Sequence, residues 1–574
     1  MKTIRGIGAS PGIAIGPAYR FHRVDLHVDT RSVHDVDAEF ARFYQALEHA
    51  EGQLRLVHEK ARREAGAEQA AIFEAQLEML RDPELLGETQ AAIRDQRLNA
   101  EAAWWSTVER FAAILEEMES EYFRARAADI RDVGRRVLRI LKGITEEPMQ
   151  LTEPVVILAQ DLSPSDTVGL DKSLVLGFCT AGGGETSHTA ILARSLGLPA
   201  VVAAGPEVLQ IPSGTQVILD GVEGLLIVEP DEQAAKVFVQ RREALTKLRE
   251  QAFAHCKEPA VTLDGHRVEV VANIGNVQGA FTALEHGAEG VGLLRTEFLY
   301  LERSTLPDEE EQYQAYRAIL EVFGQQPVVL RTLDIGGDKE LAYMELPKEE
   351  NPFLGVRGIR LCLVHPELFY PQIRAALRAG VGYNLKLMFP MIATLDEVRA
   401  AKRIVEACRE ELRRDGKPVA DNIEIGIMVE VPSAAVMAEH FAREVDFFSI
   451  GTNDLTQYTL AADRANAQLA DLISAFSPAV LILIDQVIQA AHRHGKWVGL
   501  CGELAGEPLG IPILLGLGLD EFSMNPSAIP LAKQIIRSLS LTQCQELARE
   551  VLTLESAQAV KERVRERFPF LTLS

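Results

Sequence analysis

The chain has 574 residues, 47% of them hydrophobic and 25% charged, the balance of a soluble globular protein with about three or four domains at ~150 residues each. A net charge of −24 excludes the basic footprint of a nucleic-acid binder, and no run approaches the ~20 apolar residues of a membrane span. The opening, MKTIRGIGASPGIAIGP, lacks the apolar core and cleavage site of a signal peptide, so a cytoplasmic protein without membrane insertion is expected.

Residues 1–20 read as short strands and turns, punctuated by Gly6, Gly8, Pro11, Gly12 and Gly16. From about His34 to Ile144 the texture becomes helical and rich in Ala, Glu, Arg and Leu, with breaks at DPEL (82–85) and LNAEAA (98–103). A charged face opposite an apolar stripe ordinarily marks a solvated bundle surface. From Glu153 apolar runs return, PVVILAQDL, SLVLGFCTAGG, PAVVAAG, TQVILDG and EGLLIVEP. They predict an α/β domain formed by 1–20 and 148–230, interrupted by a helical subdomain at 21–147.

Within that domain, AGGGETSHTAILARSLGLPAVVAAG (181–205) places His188 just after three glycines and at the start of a predicted helix. The apolar spacing of Ala190, Ile191, Ala193 and Leu196 supports that helix, which stops near Gly197 and Pro199. A helix start favours an anion, and neutral imidazole is a nucleophile near pH 7. These residues alone fit two readings, a capping histidine or one that carries a phosphoryl group.

Residues 231–260 read as a charged helical linker. Beyond 260, eight strand-like runs alternate with helical stretches: VEVVANIG, GVGLLRTEFLY, PVVLRTLDIGGDK, NLKLMFPMI, IEIGIMVEVPS, FFSIGTNDLTQY, WVGLCGELAG and LDEFSMNP. Near-continuous apolar strands buried on both faces predict a (β/α)₈ barrel over 261–574. Polar residues crowd the strand ends: Asn273, Arg295 with Glu297, Arg331 with Asp334, Glu430, Asn453 with Asp454, and Cys501 with Glu503. Such ends open onto one mouth. Arg295, Arg331 and Arg464, with Lys339 and Arg357 nearby in sequence, call for a multiply charged anion. Glu430 and Asp454 are the hard oxygen ligands that Mg²⁺ takes alongside substrate oxygens. The expected substrate is a small phosphorylated carboxylate. The six cysteines, 179, 256, 362, 408, 501 and 544, show neither zinc nor disulfide spacing.

The chain resembles Enzyme I of the bacterial phosphoenolpyruvate:sugar phosphotransferase system along nearly its whole length. The resemblance rests on IRGIGASPGIAIGPA, EYFRARAADIRDVGRRVLR, DLSPSDT, GGGETSHTAILARSLGLPAVV, GLLRTEFLY, LRTLDIGGDKE, NPFLGVRGIR, GIMVEVPSA, SIGTNDLTQYTLAADRAN and CGELAGEP. It implies that His188 accepts the phosphoryl group, with Thr167 as its hydrogen-bond neighbour. In the barrel, Arg295, Arg331 and Arg464 would hold the phosphate of phosphoenolpyruvate, supported by Lys339 and Arg357, and Asn453 its carboxylate end. Glu430 and Asp454 would hold Mg²⁺, and Cys501 would protonate the enolate to pyruvate. The helical subdomain would dock the histidine phosphocarrier protein HPr, and the barrel would form a homodimer. Two departures stand out: Glu185 is an acidic residue where arginine is familiar, and Ala465 and Ala467 replace glycine and aspartate.

Two other functions compete. A dikinase- or synthase-type phosphoenolpyruvate enzyme shares the histidine and barrel domains but needs a nucleotide-binding region, and no GxxxxGKS loop is present. A non-catalytic phosphoenolpyruvate sensor would need neither His188 nor Cys501.

Overall fold

The computed structural model describes residues 1–574 except 22–25, 65–66, 118–120, 145–148, 150, 168–169, 185–186, 302, 304, 338–340, 342, 345–346, 348, 421, 465, 467–468, 470–471 and 574. The chain divides into two compact units, Met1–Glu243 and Ala244–Ser574.

The first unit holds eight strands: β1 (Lys2–Arg5), β2 (Ile7–Ser10), β3 (Ile13–Arg20), β4 (Val155–Ala159), β5 (Val175–Thr180), β6 (Ala200–Val202), β7 (Gln216–Asp220) and β8 (Leu225–Val228). They form one sheet in the order β1-β8-β7-β3-β4-β5-β6-β2. The pairs β3–β4, β4–β5 and β5–β6 are parallel, which is why β4, VVILA, is buried at every position instead of alternating.

Between β3 and β4 run α1 (Val36–Glu64), α2 (Ala67–Leu80), α3 (Pro83–Asp95), α4 (Ala100–Glu117) and α5 (Glu121–Leu141). They pack around a core of their own, with Phe43, Phe73 and Trp104 fully buried. The DPEL break is a helix start: the Asp82 side chain accepts from the backbone N–H of Glu84 and Leu85, both at 2.9 Å, and Pro83 supplies a preset first turn. Two short helices follow β4 and β5, α6 (Pro164–Thr167) and α7 (His188–Leu196). Helix α8 (Glu232–Ala254) buries only Leu245 and Ala252, as a charged helix with a weak stripe should.

The second unit opens with β9 (Ala260–Val261), a hairpin partner of the first barrel strand. The barrel strands are β10 (Arg267–Ile274), β11 (Val291–Leu294), β12 (Val328–Arg331), β13 (Leu385–Phe389), β14 (Ile425–Val429), β15 (Phe447–Ile450), β16 (Trp497–Leu500) and β17 (Glu521–Met524). Each pairs in parallel with the next, and β10 pairs with both β11 and β17, which closes the ring. The (β/α)₈ expectation therefore holds strand for strand. The helix read from LDEVRAAKRIVEACREELRR spans Leu395–Arg414, begun by a capping box between Thr394 and Glu397. Inside the ring Leu293, Val329, Met388, Met428 and Phe447 pack with Cys501, so the interior is filled below the mouth.

Asn273 closes the barrel instead of facing a ligand. Its side chain donates to the Cys501 carbonyl at 2.9 Å and accepts from the Ser523 hydroxyl at 2.6 Å, tying β10 to the ends of β16 and β17.

Candidate functional site

Chemically equipped residues gather at one place in each unit. In the first, the glycine turn after β5 uses a left-handed residue, Gly183 (φ 85°), where a side chain would also crowd Ser187. Ser187 caps α7, its hydroxyl accepting from the Ala190 N–H at 3.4 Å, and Gly197 ends the helix in the left-handed region at φ 66°. His188 is thus the first residue of α7. The apolar stripe read from sequence is narrower than its spacing: Ala190 and Ala193 are fully buried, but Ile191 is 53% exposed. A nine-residue helix packing one side has room for little more than an i, i+3 pair.

The Thr167 hydroxyl, at the end of α6, lies 3.4 Å from His188 Nε2. Next to His188, buried Thr189 donates its hydroxyl to Asp161 Oδ1 at 3.0 Å and accepts from the Leu162 N–H at 3.3 Å, which pins α7 to the loop after β4. In that loop the Ser163 hydroxyl lies 2.8 Å from Asp166 Oδ2 and 3.2 Å from Asp132 Oδ1 on α5. Burial lowers the His188 pKa, and the charges of Asp161, Asp132 and Asp166 oppose that shift without cancelling it. The ring is therefore neutral at pH 7, with a lone pair available for attack. Glu185 lies outside the described residues.

In the second unit, a cavity of about 250 Å³ opens at the C-terminal ends of the barrel strands. Arg295, Arg331, Arg357, Glu430, Asn453, Asp454, Arg464 and Cys501 all line it. Lys339 lies outside the described residues.

The arginines fall into two kinds. Arg331 donates to Glu297 Oε1 at 2.8 Å and pairs with Asp334 at 3.1 Å; Arg357 forks onto Asp334 at 3.2 Å and reaches Asp454 at 3.4 Å. Burial opposes both charges, yet the surrounding carboxylates raise both pKa values above the ordinary guanidinium range. Arg295 and Arg464 are exposed to the mouth, and among the described residues neither has an ion pair. For Arg295, enclosure and then the neighbouring Arg331 lower the pKa, the mark of a cation short of counter-charge.

Glu430 follows β14 and is buried, with Oε1 accepting from the Met391 N–H at 2.5 Å. Met391 holds that N–H in place from a left-handed backbone at φ 57°, a strained conformation for a side chain of this size. Burial, then Asp334 and Asp454, push the Glu430 pKa up to about 8. Crowded carboxylates of this kind suit a dication. Among the described residues no group of three or more His, Cys, Asp or Glu is placed to hold a metal alone, but Mg²⁺ needs only one or two carboxylates and completes its shell with substrate oxygens and water. Glu430 and Asp454 fit that requirement.

Asn453 and Asp454 stand in the first turn of helix Thr452–Leu460, whose start at Gly451 lines the cavity and carries no side-chain cap. The Asn453 amide donates to Glu503 Oε1 at 3.4 Å and accepts from the Glu503 N–H at 3.2 Å. That cross-link joins the loops after β15 and β16. Between them Gly502 has no space for a side chain: a Cβ there would fall 1.8 Å from Thr452 Oγ1. The Cys501 thiol lies against the Ile450 carbonyl at 3.7 Å, and burial pushes its pKa up to about 11. It is a protonated acid at pH 7 and not a thiolate nucleophile.

Two groups escaped the sequence reading. Asp161 sits inside the quoted DLSPSDT motif, but its bond to Thr189 is tertiary. Met391 carries no signal at all, because nothing in FPMIAT announces a left-handed methionine.

Comparison with known proteins bears on both sites. Residues 249–541 match the PEP-utilising enzyme, PEP-binding domain; 5–126 match the N-terminal domain of the same enzymes; and 151–224 match their mobile domain. The phosphoenolpyruvate-protein phosphotransferase of Bacillus sp. (strain S) is 51% identical over 568 residues, spanning 99% of this chain and 98% of that one. The chain belongs to the phosphoenolpyruvate-protein phosphotransferase family. The Geobacillus stearothermophilus protein of that name is also 51% identical over 568 residues, covering 99% of this chain and 98% of its own, and that of Bacillus subtilis (strain 168) is 48% identical over 569 residues, covering 99% and 100%. The residues lining the barrel cavity fall within the segment that matches the PEP-binding domain, and His188 within the segment that matches the mobile domain.

Proposed function

We propose that the enzyme moves the phosphoryl group of phosphoenolpyruvate onto His188, releases pyruvate, and passes the group to a histidine of the phosphocarrier HPr, the first step of sugar uptake by the phosphotransferase system. The observation that carries this reading is the sorting of the barrel arginines: two are neutralised by carboxylates and two are left for an anion.

Arg295 and Arg464 take the phosphate, Arg331 and Arg357 frame it from their fixed pairs, and Asn453 with the helix start at Gly451 receives the carboxylate. Mg²⁺ held by Glu430 and Asp454 would supply charge neutralisation at the phosphoryl oxygens. His188 Nε2 attacks phosphorus in line with the enolate oxygen, so the P–O bond breaks as the N–P bond forms. Cys501 gives its thiol proton to the methylene carbon of the enolate, which makes the step hard to reverse in the absence of pyruvate, and regains a proton from solvent. Family resemblance makes Lys339 a supporting cation for the phosphate.

The supporting organisation is an α/β phosphohistidine domain (1–20 and 148–230), an HPr-docking helical subdomain (21–147), a linker (231–260) and the barrel (261–574). Acceptor and donor sites belong to different units, so transfer requires that His188 be delivered to the mouth, and the linker is the segment able to allow it. The reading places the enzyme in the cytoplasm as a homodimer through the barrel, with family resemblance as its support; among the described residues no helix is long and apolar enough to cross a membrane.

The test is incubation with phosphoenolpyruvate carrying a labelled phosphoryl group, with Mg²⁺. Acid-labile, base-stable label that moves to HPr is expected. Label that persists in His188→Ala, or that requires ATP, overturns the proposal.

A further inference from the structure

The groups around His188 have a charge that a phosphoryl carrier would not be expected to gather. A phosphorylated imidazole brings about two negative charges at neutral pH. A site built only to hold it would present cations, as the barrel mouth does with Arg295 and Arg464. Around His188 the charges felt by the ring are instead three carboxylates, Asp161, Asp132 and Asp166. They are also fixed in place. Asp161 Oδ1 is held by the Thr189 hydroxyl at 3.0 Å and the Leu162 N–H at 2.8 Å. Asp166 Oδ2 is held by the Ser163 N–H and hydroxyl, both at 2.8 Å, and Asp132 is reached by Ser163 at 3.2 Å and by Gln76 at 3.3 Å. Among the described residues, the start of α7 and the Thr167 hydroxyl lie beside the ring nitrogen that would carry the phosphoryl group.

We infer that this acidic wall, with Asp161 as its main member, sets the phosphoryl-transfer potential of His188 by destabilising the phosphorylated ring. This inference rests on His188 being the phosphoryl carrier. In the exchange, the P–O bond of phosphoenolpyruvate breaks and an N–P bond forms at His188; the enolate carbon takes one proton to become pyruvate, and the ring sheds one from its other nitrogen. No net charge is gained, but two negative charges arrive beside the three carboxylates. Repulsion across a partly desolvated site raises the free energy of the phosphoenzyme and not that of the resting enzyme. The carrier is thereby kept a strong donor, ready to discharge to an acceptor histidine whose own N–P bond is of similar intrinsic strength.

Asp161 does this while also positioning α7, and the two roles separate cleanly. In Asp161→Asn the amide oxygen can still accept from Thr189 and Leu162, so the geometry stays and only the charge is lost. Removing it should shift the equilibrium constant for the exchange between phosphoenolpyruvate and pyruvate about tenfold toward phosphoenzyme, the scale of one charge acting on two at several ångströms in a partly solvated site. A purely structural role would change the rate of charging and leave the equilibrium where it is.

The experiment fixes the phosphoenolpyruvate-to-pyruvate ratio at several values in the presence of Mg²⁺, lets the full-length enzyme reach equilibrium, and measures the phosphorylated fraction from base-stable label. A shift toward phosphoenzyme in Asp161→Asn, with a smaller one in the same direction in Asp166→Asn, supports the inference. An unchanged equilibrium constant in both, in enzyme that charges normally, overturns it while leaving the proposed function intact. Wild-type enzyme that takes no label overturns both. If Asp161→Asn does not fold, Asp166→Asn decides alone.

Discussion

In the proposed reaction the barrel mouth and the His188 turn treat the same phosphoryl group in opposite ways. The mouth sits on strand ends of a closed ring, is rich in arginine, and balances its buried charges before any ligand arrives. The His188 turn sits on a glycine loop and two short helices, is rich in hydroxyls and carboxylates, and leaves the ring neutral. The difference teaches which interactions belong to capture and which to hand-over. A donor site must hold phosphate against water, whereas a carrier must be able to give it away.

The sharpest break in the comparison is removal of the acid from the mouth. Cys501→Ala should retain phosphoenolpyruvate binding but lower pyruvate formation by ~10²–10⁴-fold, the usual contribution of a positioned proton donor; rapid-quench measurement of pyruvate checks this, and unchanged turnover removes the thiol from the chemistry. Next come the two kinds of arginine. Arg357→Ala leaves Asp454 buried without its guanidinium and takes from Asp334 one of the arginines it pairs with, so it should cost ~3–5 kcal/mol of stability and lower the unfolding temperature. Arg464→Ala, exposed and unpaired among the described residues, should cost under ~0.5 kcal/mol of stability and instead weaken phosphoenolpyruvate binding by about tenfold or more. Calorimetric unfolding and titration of both variants would collapse the distinction if the two behaved alike.

The last effect concerns pH and lies at the opposite end of the barrel from the mouth. Glu521 begins β17 and is buried; burial, then Glu269, raises its pKa to about 8. It is neutral in the fold, whereas the unfolded chain sheds the proton above the ordinary value of 4.5. Stability is therefore full below that value and declines as pH rises toward about 8, by at most about 1.4 kcal/mol per pH unit. Glu521→Gln should flatten that decline between pH 6 and 8 in thermal melts, and an unaltered slope would show that the carboxyl is already ionised in the fold.

Much of this architecture is legible in sequence because parallel strands buried on both faces leave uninterrupted apolar runs, as in IGIMV of β14. Their polar ends are legible for the same reason: nothing apolar would place Arg331 or Glu430 there. The division of the arginines is not, because Arg331 and Arg357 are claimed by Glu297, Asp334 and Asp454 only through contacts between different strand ends. Nor is the exposure of Ile191, whose helical spacing matches that of its buried neighbours. In both cases local pattern specifies which groups reach a surface, and tertiary pairing decides what they meet there.

The glycine after the thiol ties these observations to a single missing methyl group. A Cβ on Gly502 would meet not only the Thr452 hydroxyl but also the Thr452 backbone nitrogen, at 2.6 Å. The obstruction is main chain, which no side-chain trimming can relieve. The proposed proton donor, Cys501, and the proposed carboxylate seat at Asn453 are thus clamped at a fixed gauge by an absence. Alanine at 502 is the smallest edit to the chain that would force them apart.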